Sequence, residues 1–379
     1  MLSNNKTYIL APNIKKEIGG TADSTVNLSK ILSERFEIEL VCVEHDLNPA
    51  NENYKITTPS PNIQNFALLL FNFYKYLISR LGKENIVHVQ NIWGMHSIVP
   101  YFLKSKKNFI LIFSPRGTLD RYALKYSKIK KYIFYNFIFQ KKSLRATDYF
   151  HATSIKEYKE IRRMGFKQPV AIIPNPIKKT EILKIKKEKI ITFIGRIHPI
   201  KGLDLLLEAW KEVHNEMNFS LKIFGVWEDE SYINKLKSYI KKHNLTNVEV
   251  NGPVYGDKKN DIYQKSSFCI FPSFTENFGN SIGESLMNGT PVIVSKNTPW
   301  EKVVMKKCGY TCDLDVKSLR NILIKINSLS KSEIIKLGNN GRNFAVEEFS
   351  HDVVKNSFYN FYDWVKNKNL NTPNYIKFD

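Results

Sequence analysis

The sequence predicts an α/β fold built on parallel sheets. Segments rich in β-branched and aromatic residues alternate with segments of helical periodicity through most of the chain. The stretch Phe268–Ser295 contains one complete strand–loop–helix–strand unit of this kind. A length of 379 residues predicts two or three domains, and a hydrophobic fraction of 42% is sufficient for a packed core in each.

The first half of the chain is expected to form one such domain. Polar residues after Pro174-Asn175-Pro176 are typical of a linker at the end of this domain. Its predicted helices are Ala22–Glu34, Asn65–Leu81 and Ile155–Met164. Its predicted strands are Tyr8–Ala11, Glu37–Val43, Asn85–Gln90, Phe109–Phe113, Asp148–Thr153 and Val170–Ile173.

The second half repeats the alternation after the linker. A helix is predicted over Leu203–Val213, and a final helix over His351–Lys366 carries Val354, Phe358, Phe361 and Trp364 at helical spacing, which indicates a core stripe. The predicted strands are Ile190–Gly195, Ser220–Phe224, Val248–Val250, Phe268–Phe271 and Pro291–Ser295.

The loop and helix inside Phe268–Ser295 carry the first candidate site. Ser281 is expected to cap the helix, with Glu284 as its capping-box partner and Gly289 as the stop. A helix start of this kind attracts phosphate. Gly279 frees the backbone for close approach to a ligand, and Asn280 adds a donor. Glu276 lies in the preceding loop. The alternatives are that Glu284 serves only the cap and that Glu276 is a solvated charge.

A second polar loop follows the strand Ile190–Gly195. It reads Gly-Arg-Ile-His-Pro-Ile-Lys-Gly over residues 195–202 and lacks the glycine spacing of a Walker loop. Arg196 and Lys201 are either solvated loop charges or a pair of cations for phosphate oxygens. A guanidinium can bind two such oxygens at once, and an ammonium adds a compact charge.

The string PSFTENFGNSIGESLMNGTPVIVS, residues 272–295, resembles the Glu-x7-Glu signature of glycosyltransferase family 4. Residues 195–202 are similar to the diphosphate-binding loop of that family. The resemblance implies a retaining nucleotide-sugar transferase with the GT-B fold. This fold has two Rossmann-like domains facing across a cleft, here expected at residues 1–180 and 181–350, with a C-terminal helix in 351–379 crossing back to the first domain.

The same resemblance implies roles for the candidate residues. Glu276 would hold sugar hydroxyl groups, helped by the Phe278 and Gly279 amides, and Glu284 would hold the ribose. Arg196, Lys201 and the helix start would stabilise the diphosphate, so that no metal or other cofactor is expected. The substrate-binding set implied in this way is Gly19, Gly20, Arg116, Gly195, Asn277, Phe278, Gly279, Asn280, Ser281 and Glu284.

Two positions depart from the pattern of the family. The turn Ser-Pro-Arg-Gly-Thr-Leu, residues 114–119, resembles one in polysaccharide-building members, where many relatives have histidine at the position of Arg116. Arg116 is always charged, so it is expected to hold a phosphate or an acceptor group instead. The family also often has His-x-His where this chain has His88 and Gln90. We expect His88 to be a core residue rather than an acid or base.

A formal charge of +21 predicts attraction to an anionic partner. In residues 122–145, seven basic residues interleave with aromatic and aliphatic ones, which favours either ordinary helix packing or docking on an anionic membrane. We expect a peripheral enzyme at the inner face of the cytoplasmic membrane that extends a lipid-linked saccharide acceptor in surface polysaccharide synthesis. An epimerase of the same fold and a nucleic-acid-binding protein are the alternatives, although no nucleic-acid motif accompanies the charge.

Three features exclude other classes of protein. No run of 18 apolar residues predicts a membrane span, and the N-terminal residues lack a signal-peptide pattern. The four cysteines are expected to be free thiols, and their spacing does not favour zinc.

Overall fold

A computed structural model describes residues 6–15, 19–61, 63, 65–92, 94–122, 139–183 and 186–378. Contacts divide the chain into two units, Met1–Pro176 with Asp352–Asp379, and Ile177–His351. Each unit is a parallel sheet flanked by helices, so the predicted α/β class is confirmed.

The first unit builds its sheet mainly from the N-terminal half of the chain. The strands are β1 (Thr7–Ile14), β2 (Ile38–His45), β3 (Lys55–Thr57), β4 (Ile86–Gln90), β5 (Ile110–Ser114), β6 (Tyr149–Ala152) and β7 (Val170–Ile172), and they pair in the order β7-β6-β5-β4-β1-β2-β3, all parallel. Among the described residues, the helices are α1 (Gly20–Ser33), α2 (Phe66–Ile78), α3 (Met95–Lys104) and α4 (Ile155–Arg163).

Strand β1 shows how this sheet buries both of its faces. Tyr8 and Leu10 pack into a cluster with residues of α2 and α3, whereas Ile9 and Ala11 pack into a second cluster with residues of α1. Successive side chains of a strand point to opposite faces, so a strand covered on both sides is apolar throughout. This is why the interior strands were recognisable from the sequence.

The second unit contains a six-stranded parallel sheet. Its strands are β8 (Glu188–Ile194), β9 (Ser220–Phe224), β10 (Val248–Asn251), β11 (Ser266–Phe271), β12 (Val292–Ser295) and β13 (Gly309–Cys312), in the order β10-β9-β8-β11-β12-β13. The helices are α5 (Leu203–Val213), α6 (Glu230–Lys242), α7 (Gly256–Lys265), α8 (Asn280–Met287), α9 (Lys302–Met305), α10 (Val316–Asn327) and α11 (Lys331–Phe349).

The C-terminal segment completes the first unit. Helix α12 (His351–Lys366) buries Val354, Phe358, Phe361 and Trp364 in the cluster that contains Ile9, and β14 (Ile376–Lys377) pairs antiparallel with β7. The predicted return of the final helix to the first domain is therefore confirmed, as is its core stripe. No helix within the described part of the chain is long and apolar enough to span a bilayer.

Candidate active site

The order of strands in the second unit fixes the location of a crevice. From β8 the chain moves through β9 to β10 on one side, and β11 then starts a run through β12 to β13 on the other side. The neighbouring strands β8 and β11 thus form a topological switch point, where α/β sheets bind ligands beyond the carboxyl ends of the strands. The loops that follow these two strands are residues 195–202 and 272–279, which are the two loops singled out in the sequence.

The first loop is held tightly to β9. The Gly195 N–H donates to Phe224 O at 3.0 Å, and the Ile197 N–H donates to Val226 O at 2.8 Å. A Cβ atom on Gly225 would lie 1.8 Å from Gly195 O, so only glycine fits where the two strand ends meet. Gly195 therefore serves the geometry of the loop and leaves Arg196 about half exposed at its start.

A short turn carries Lys201 toward the second loop. The His198 Nδ1 accepts a hydrogen bond from the Ile200 N–H at 3.1 Å, which begins a 3-10 turn over Pro199–Lys201. Gly202 ends the turn with φ of 63°, and a Cβ atom there would lie 2.2 Å from Pro272 O. The role of His198 was not predicted, although its position before Pro199 resembles that of a capping residue.

The two loops meet at an ion pair. Lys201 Nζ lies 2.6 Å from Glu276 Oε1, and the same oxygen accepts a hydrogen bond from Ser273 Oγ at 2.8 Å. Both charged side chains are largely buried, with 15% and 13% of their surfaces exposed. The backbone joins the loops as well, because the Phe274 N–H donates to Ile200 O at 2.8 Å. The predicted cationic and acidic loops are thus one structure.

Arg196 adds a second positive charge to this site, and its side chain is more exposed than that of Lys201. Its guanidinium lies 3.8 Å from the carboxylate of Glu228, and both side chains are well exposed. An exposed ion pair of this kind contributes at most about 1 kcal/mol, so Arg196 can turn to a bound ligand at little cost.

Glu284 lies one turn into α8 and faces α7. Its carboxylate is 2.6 Å from Lys259 Nζ and accepts a hydrogen bond from the Tyr263 hydroxyl at 3.1 Å. Burial, and then the charge of Glu284, raise the pKa of Tyr263 well above its usual value, so the phenol remains a donor. A third of the Glu284 side chain stays exposed, which leaves the carboxylate accessible to a ligand.

The predicted capping box of α8 is wrong. The helix begins at Asn280, with Gly279 as its N-cap at φ of 84°, and no side chain caps it among the described residues. Gly279, in a left-handed conformation, occupies the N-cap position two residues before Ser281. Ser281 therefore lies inside the first turn, and Glu284 lies beyond the third helical position, where a capping-box partner would stand. Asn277, Asn280 and Ser281 are partly exposed in the loop and first turn, and Gly289 lies just after the helix with φ of 68°.

Trp300 packs against the loop that carries Glu276. Its indole N–H donates to the backbone oxygen of Phe278, and its ring centroid lies 5.3 Å from that of Phe278 and 5.1 Å from that of Phe349. A Cβ atom on Gly279 would lie 2.9 Å from Ile282 Cδ1 and 3.4 Å from the indole nitrogen. The Phe278 side chain therefore packs in the core, and its backbone oxygen accepts the Trp300 bond. The role of Trp300 was not predicted, although it follows β12, the neighbour of β11.

The first unit holds the remaining predicted residues. Gly19, with φ of 71°, precedes the first residue of α1, Gly20. Arg116 follows β5 with φ of 57° and is 6% exposed. Its guanidinium donates to Gln90 Oε1 through Nε at 2.9 Å and Nη2 at 2.7 Å, and to Asn175 Oδ1 through Nη1 at 2.6 Å.

His88 lies in the core of the first unit, as predicted. Its Nδ1 is 2.7 Å from the Tyr362 hydroxyl and its Nε2 is 2.7 Å from Ser114 Oγ, which in turn lies 2.6 Å from His151 Nδ1. Burial, and then the positive charge of the nearby Arg116, lower the pKa of His88 well below its usual value. His88 is therefore a neutral hydrogen-bonded residue.

Some predictions concern residues that the structure does not describe. Of the basic segment 122–145, residues 123–138 lie outside the described part, including Lys125, Lys128, Lys130 and Lys131, whereas Lys142 and Arg145 are described and exposed. The four cysteines are free and buried. Across the described ranges, no group of three His, Cys, Asp or Glu residues could hold a metal ion.

Comparison with known families identifies the family of the chain. Residues 18–181 match the family model described as Glycosyltransferase Family 4, and residues 175–344 match Glycosyl transferases group 1. The chain belongs to glycosyltransferase family 4. This glycosyltransferase is 28% identical over 351 residues to an uncharacterized glycosyltransferase of Methanocaldococcus jannaschii, covering 89% of this chain and 93% of the relative.

Solved structures establish the GT-B fold of this glycosyltransferase. HepE of Anabaena, solved in complex with UDP-glucose, superposes with a TM-score of 0.75 at 14% identity, covering 94% of this chain and 99% of the other. WaaG, a glycosyltransferase involved in lipopolysaccharide biosynthesis, superposes with a TM-score of 0.71 at 11% identity, covering 93% and 98%. At these identities the likeness concerns the fold alone.

Proposed function

We propose that this glycosyltransferase transfers a hexosyl or N-acetylhexosaminyl unit from a nucleotide sugar, with retention of configuration, to a lipid-linked oligosaccharide in bacterial surface polysaccharide synthesis. A UDP-sugar is the favoured donor and a GDP-sugar the next. The observation that carries the proposal is the contact between Lys201 and Glu276 at the switch point, because it joins a cation for phosphate to a carboxylate for sugar hydroxyls.

The reaction follows from the charges at this site. When the bond between the anomeric carbon and the diphosphate breaks, both electrons remain on the phosphate oxygen. Lys201, Arg196 and the N-terminus of α8 stabilise the charge that develops there. Glu276 holds the sugar hydroxyls with the Phe278 and Gly279 amides, and Glu284 holds the ribose. Cations and helix dipole together neutralise the leaving group, so the proposal requires no metal.

The donor is proposed from the structural neighbours and is open to a direct test. HepE was solved with UDP-glucose, and WaaG acts in lipopolysaccharide biosynthesis, which supports a UDP-sugar and a polysaccharide role here. We expect UDP-sugars to raise the melting temperature of the wild type more than GDP-sugars do. The Arg196→Ala variant is expected to bind about 10- to 100-fold more weakly, because it loses charge-assisted hydrogen bonds to the diphosphate.

Arg320→Ala provides the matched control for this panel. Arg320 is an exposed arginine on α10 of the same unit. Its Nε lies 3.2 Å from Oε2 of Glu212 on α5. It is expected to respond to nucleotide sugars as the wild type does. A wild type that responds to neither UDP- nor GDP-sugars, or an Arg196→Ala variant with unchanged affinity, would contradict the donor site.

Docking on an anionic membrane is the proposed means of reaching the acceptor. Removing the charges of Lys130, Lys131, Lys141 and Lys142 is expected to weaken binding to phosphatidylserine vesicles by about 10²–10³-fold, since each basic residue contributes about 1 kcal/mol near such a surface. The measurement is vesicle cosedimentation. The control replaces four exposed lysines of α6, namely Lys235, Lys237, Lys241 and Lys242. Equal losses in both variants would show that only total charge matters.

A further inference from the structure

Arg116 is a buried cation whose hydrogen-bond partners are neutral. The Gln90 and Asn175 side chains accept its bonds through amide oxygens, and within the described part of the chain no carboxylate forms an ion pair with it. An unpaired buried charge is costly, so such groups in proteins are normally paired. Neutral acceptors orient this guanidinium without neutralising it.

Within the described residues, the titratable groups around Arg116 form no ion pair with it. Burial lowers the pKa of Arg116 to about 10 against the opposing charge of Glu157, whose carboxylate accepts bonds from the Gly117 N–H at 2.7 Å and the Thr153 N–H at 2.8 Å and none from the guanidinium. Burial and the Arg116 charge lower the pKa of His151 to about 3, so this ring is neutral, as is that of His88.

The position of Arg116 is that of a ligand-binding group. In the first sheet, β1 leads through β2 to β3 on one side and β4 leads to β5, β6 and β7 on the other, so the switch point lies between β1 and β4. Gln90 is the last residue of β4, and Gly19 and Gly20 follow β1.

Hydrogen bonds connect the guanidinium to the glycines. Asn175 Nδ2 donates to Ser24 Oγ at 3.0 Å, and Ser24 Oγ donates to Gly20 O at 2.6 Å. The guanidinium has five N–H groups, of which three are used within the described residues, so two remain for a ligand. Two N–H groups are the number needed for bidentate binding of a carboxylate or phosphate.

We propose that Arg116 binds an anionic group of a substrate, a carboxylate or a phosphate, at the switch point of the first sheet. Two nitrogens of Arg116, Nε and Nη2, donate to the same oxygen of Gln90. The pair therefore acts as one binding element, with Gln90 as the positioning residue. Which substrate carries this anionic group is inferred from the proposed function. The group is either the carboxylate of an acidic donor sugar or the phosphate of a lipid-linked acceptor.

Two matched ligand pairs distinguish these sources. UDP-glucuronate against UDP-glucose tests a carboxylate on the donor sugar, and geranyl phosphate against geraniol tests a phosphate on the acceptor. Affinities are measured by calorimetry on the full chain for the wild type, Arg116→Gln and the control Arg121→Gln, an exposed arginine of the same unit. We expect the wild type and the control to bind the anionic member of one pair about tenfold or more tightly than its neutral member, and Arg116→Gln to lose this difference.

The outcomes separate this proposal from the proposed function. Wild-type protein that binds both members of each pair equally, or an Arg116→Gln variant that keeps the preference, would overturn the anion site. Failure of both UDP ligands to bind, with an Arg116-dependent preference for geranyl phosphate, would count against the proposed donor and support the anion site. Circular dichroism checks folding, and Arg116→Met is the second variant if Arg116→Gln does not fold.

Discussion

Replacing Glu276 with glutamine is expected to lower kcat/KM for sugar transfer by about 10²–10³-fold. Glutamine keeps the size of the side chain but removes the charge, and a hydrogen bond to a charged group contributes about 1.5–3 kcal/mol. A second loss arises because Lys201, at 2.6 Å from Glu276, is then left largely buried without its partner and is no longer held in place for the diphosphate. The measurement is steady-state transfer from the donor identified by the nucleotide-sugar panel.

Glu249→Gln is the control for this experiment. Glu249 lies on β10 in the same unit, is 54% exposed and pairs with Lys222 at 3.3 Å. An exposed pair contributes about 0–1 kcal/mol, so this variant is expected to transfer sugar at the wild-type rate. If Glu276→Gln retained activity within threefold of wild type while remaining folded, the assignment of Glu276 to the sugar would be wrong.

Truncating Trp300 to alanine is expected to lower the free energy of unfolding of the second unit by about 3–5 kcal/mol, the usual range for a large aromatic residue removed from a core. The ring is 2% exposed and contacts Phe278, Phe344 and Phe349. Trp300→Phe separates the two roles of the residue. It keeps most of the packing but removes the N–H that binds the Phe278 oxygen, so Gly279 and the start of α8 lose a restraint.

Denaturant unfolding and transfer kinetics together test this assignment. Trp300→Phe is expected to lose only about 1 kcal/mol of stability, the net value of a neutral hydrogen bond, yet to lower kcat about tenfold by loosening the Glu276 loop. Trp227→Phe is the control, because its indole N–H donates at 2.9 Å to Glu230 outside this loop. Wild-type kcat in Trp300→Phe would make Trp300 a packing residue and nothing more.

Periodicity was sufficient to predict most of the fold. The interior strands are apolar on both faces, and helices such as α5 carry an apolar stripe. Strands β3, β13 and β14, of three, four and two residues, were not predicted. Such short edge strands bury little surface and exist because a neighbour pairs with them, which a local pattern cannot reveal.

The sequence was sufficient to identify the loops of the candidate site but not the residues that contact them. Resemblance identified Glu276, Glu284, Arg196 and Lys201, and the structure brings Lys201 and Glu276 into contact. The partners of these residues come from distant parts of the chain, as with Tyr263 on Glu284. The error at Ser281 has a local cause: Gly279 adopts a left-handed conformation that a capping motif does not indicate. Hydrogen-bond partners that are distant in sequence and positive φ angles arise only when the chain folds, so a local sequence pattern does not reveal them.

The return of α12 to the first unit has a consequence for the order of folding during synthesis. Residues 177–351 form a continuous unit, which can close as soon as it leaves the ribosome. The unit that begins the chain must wait, because Phe358, Phe361 and Tyr362 fill its core and β14 protects the edge of β7. Its nascent sheet therefore emerges with one face covered only in part, by α1, and the half translated first is the half completed last.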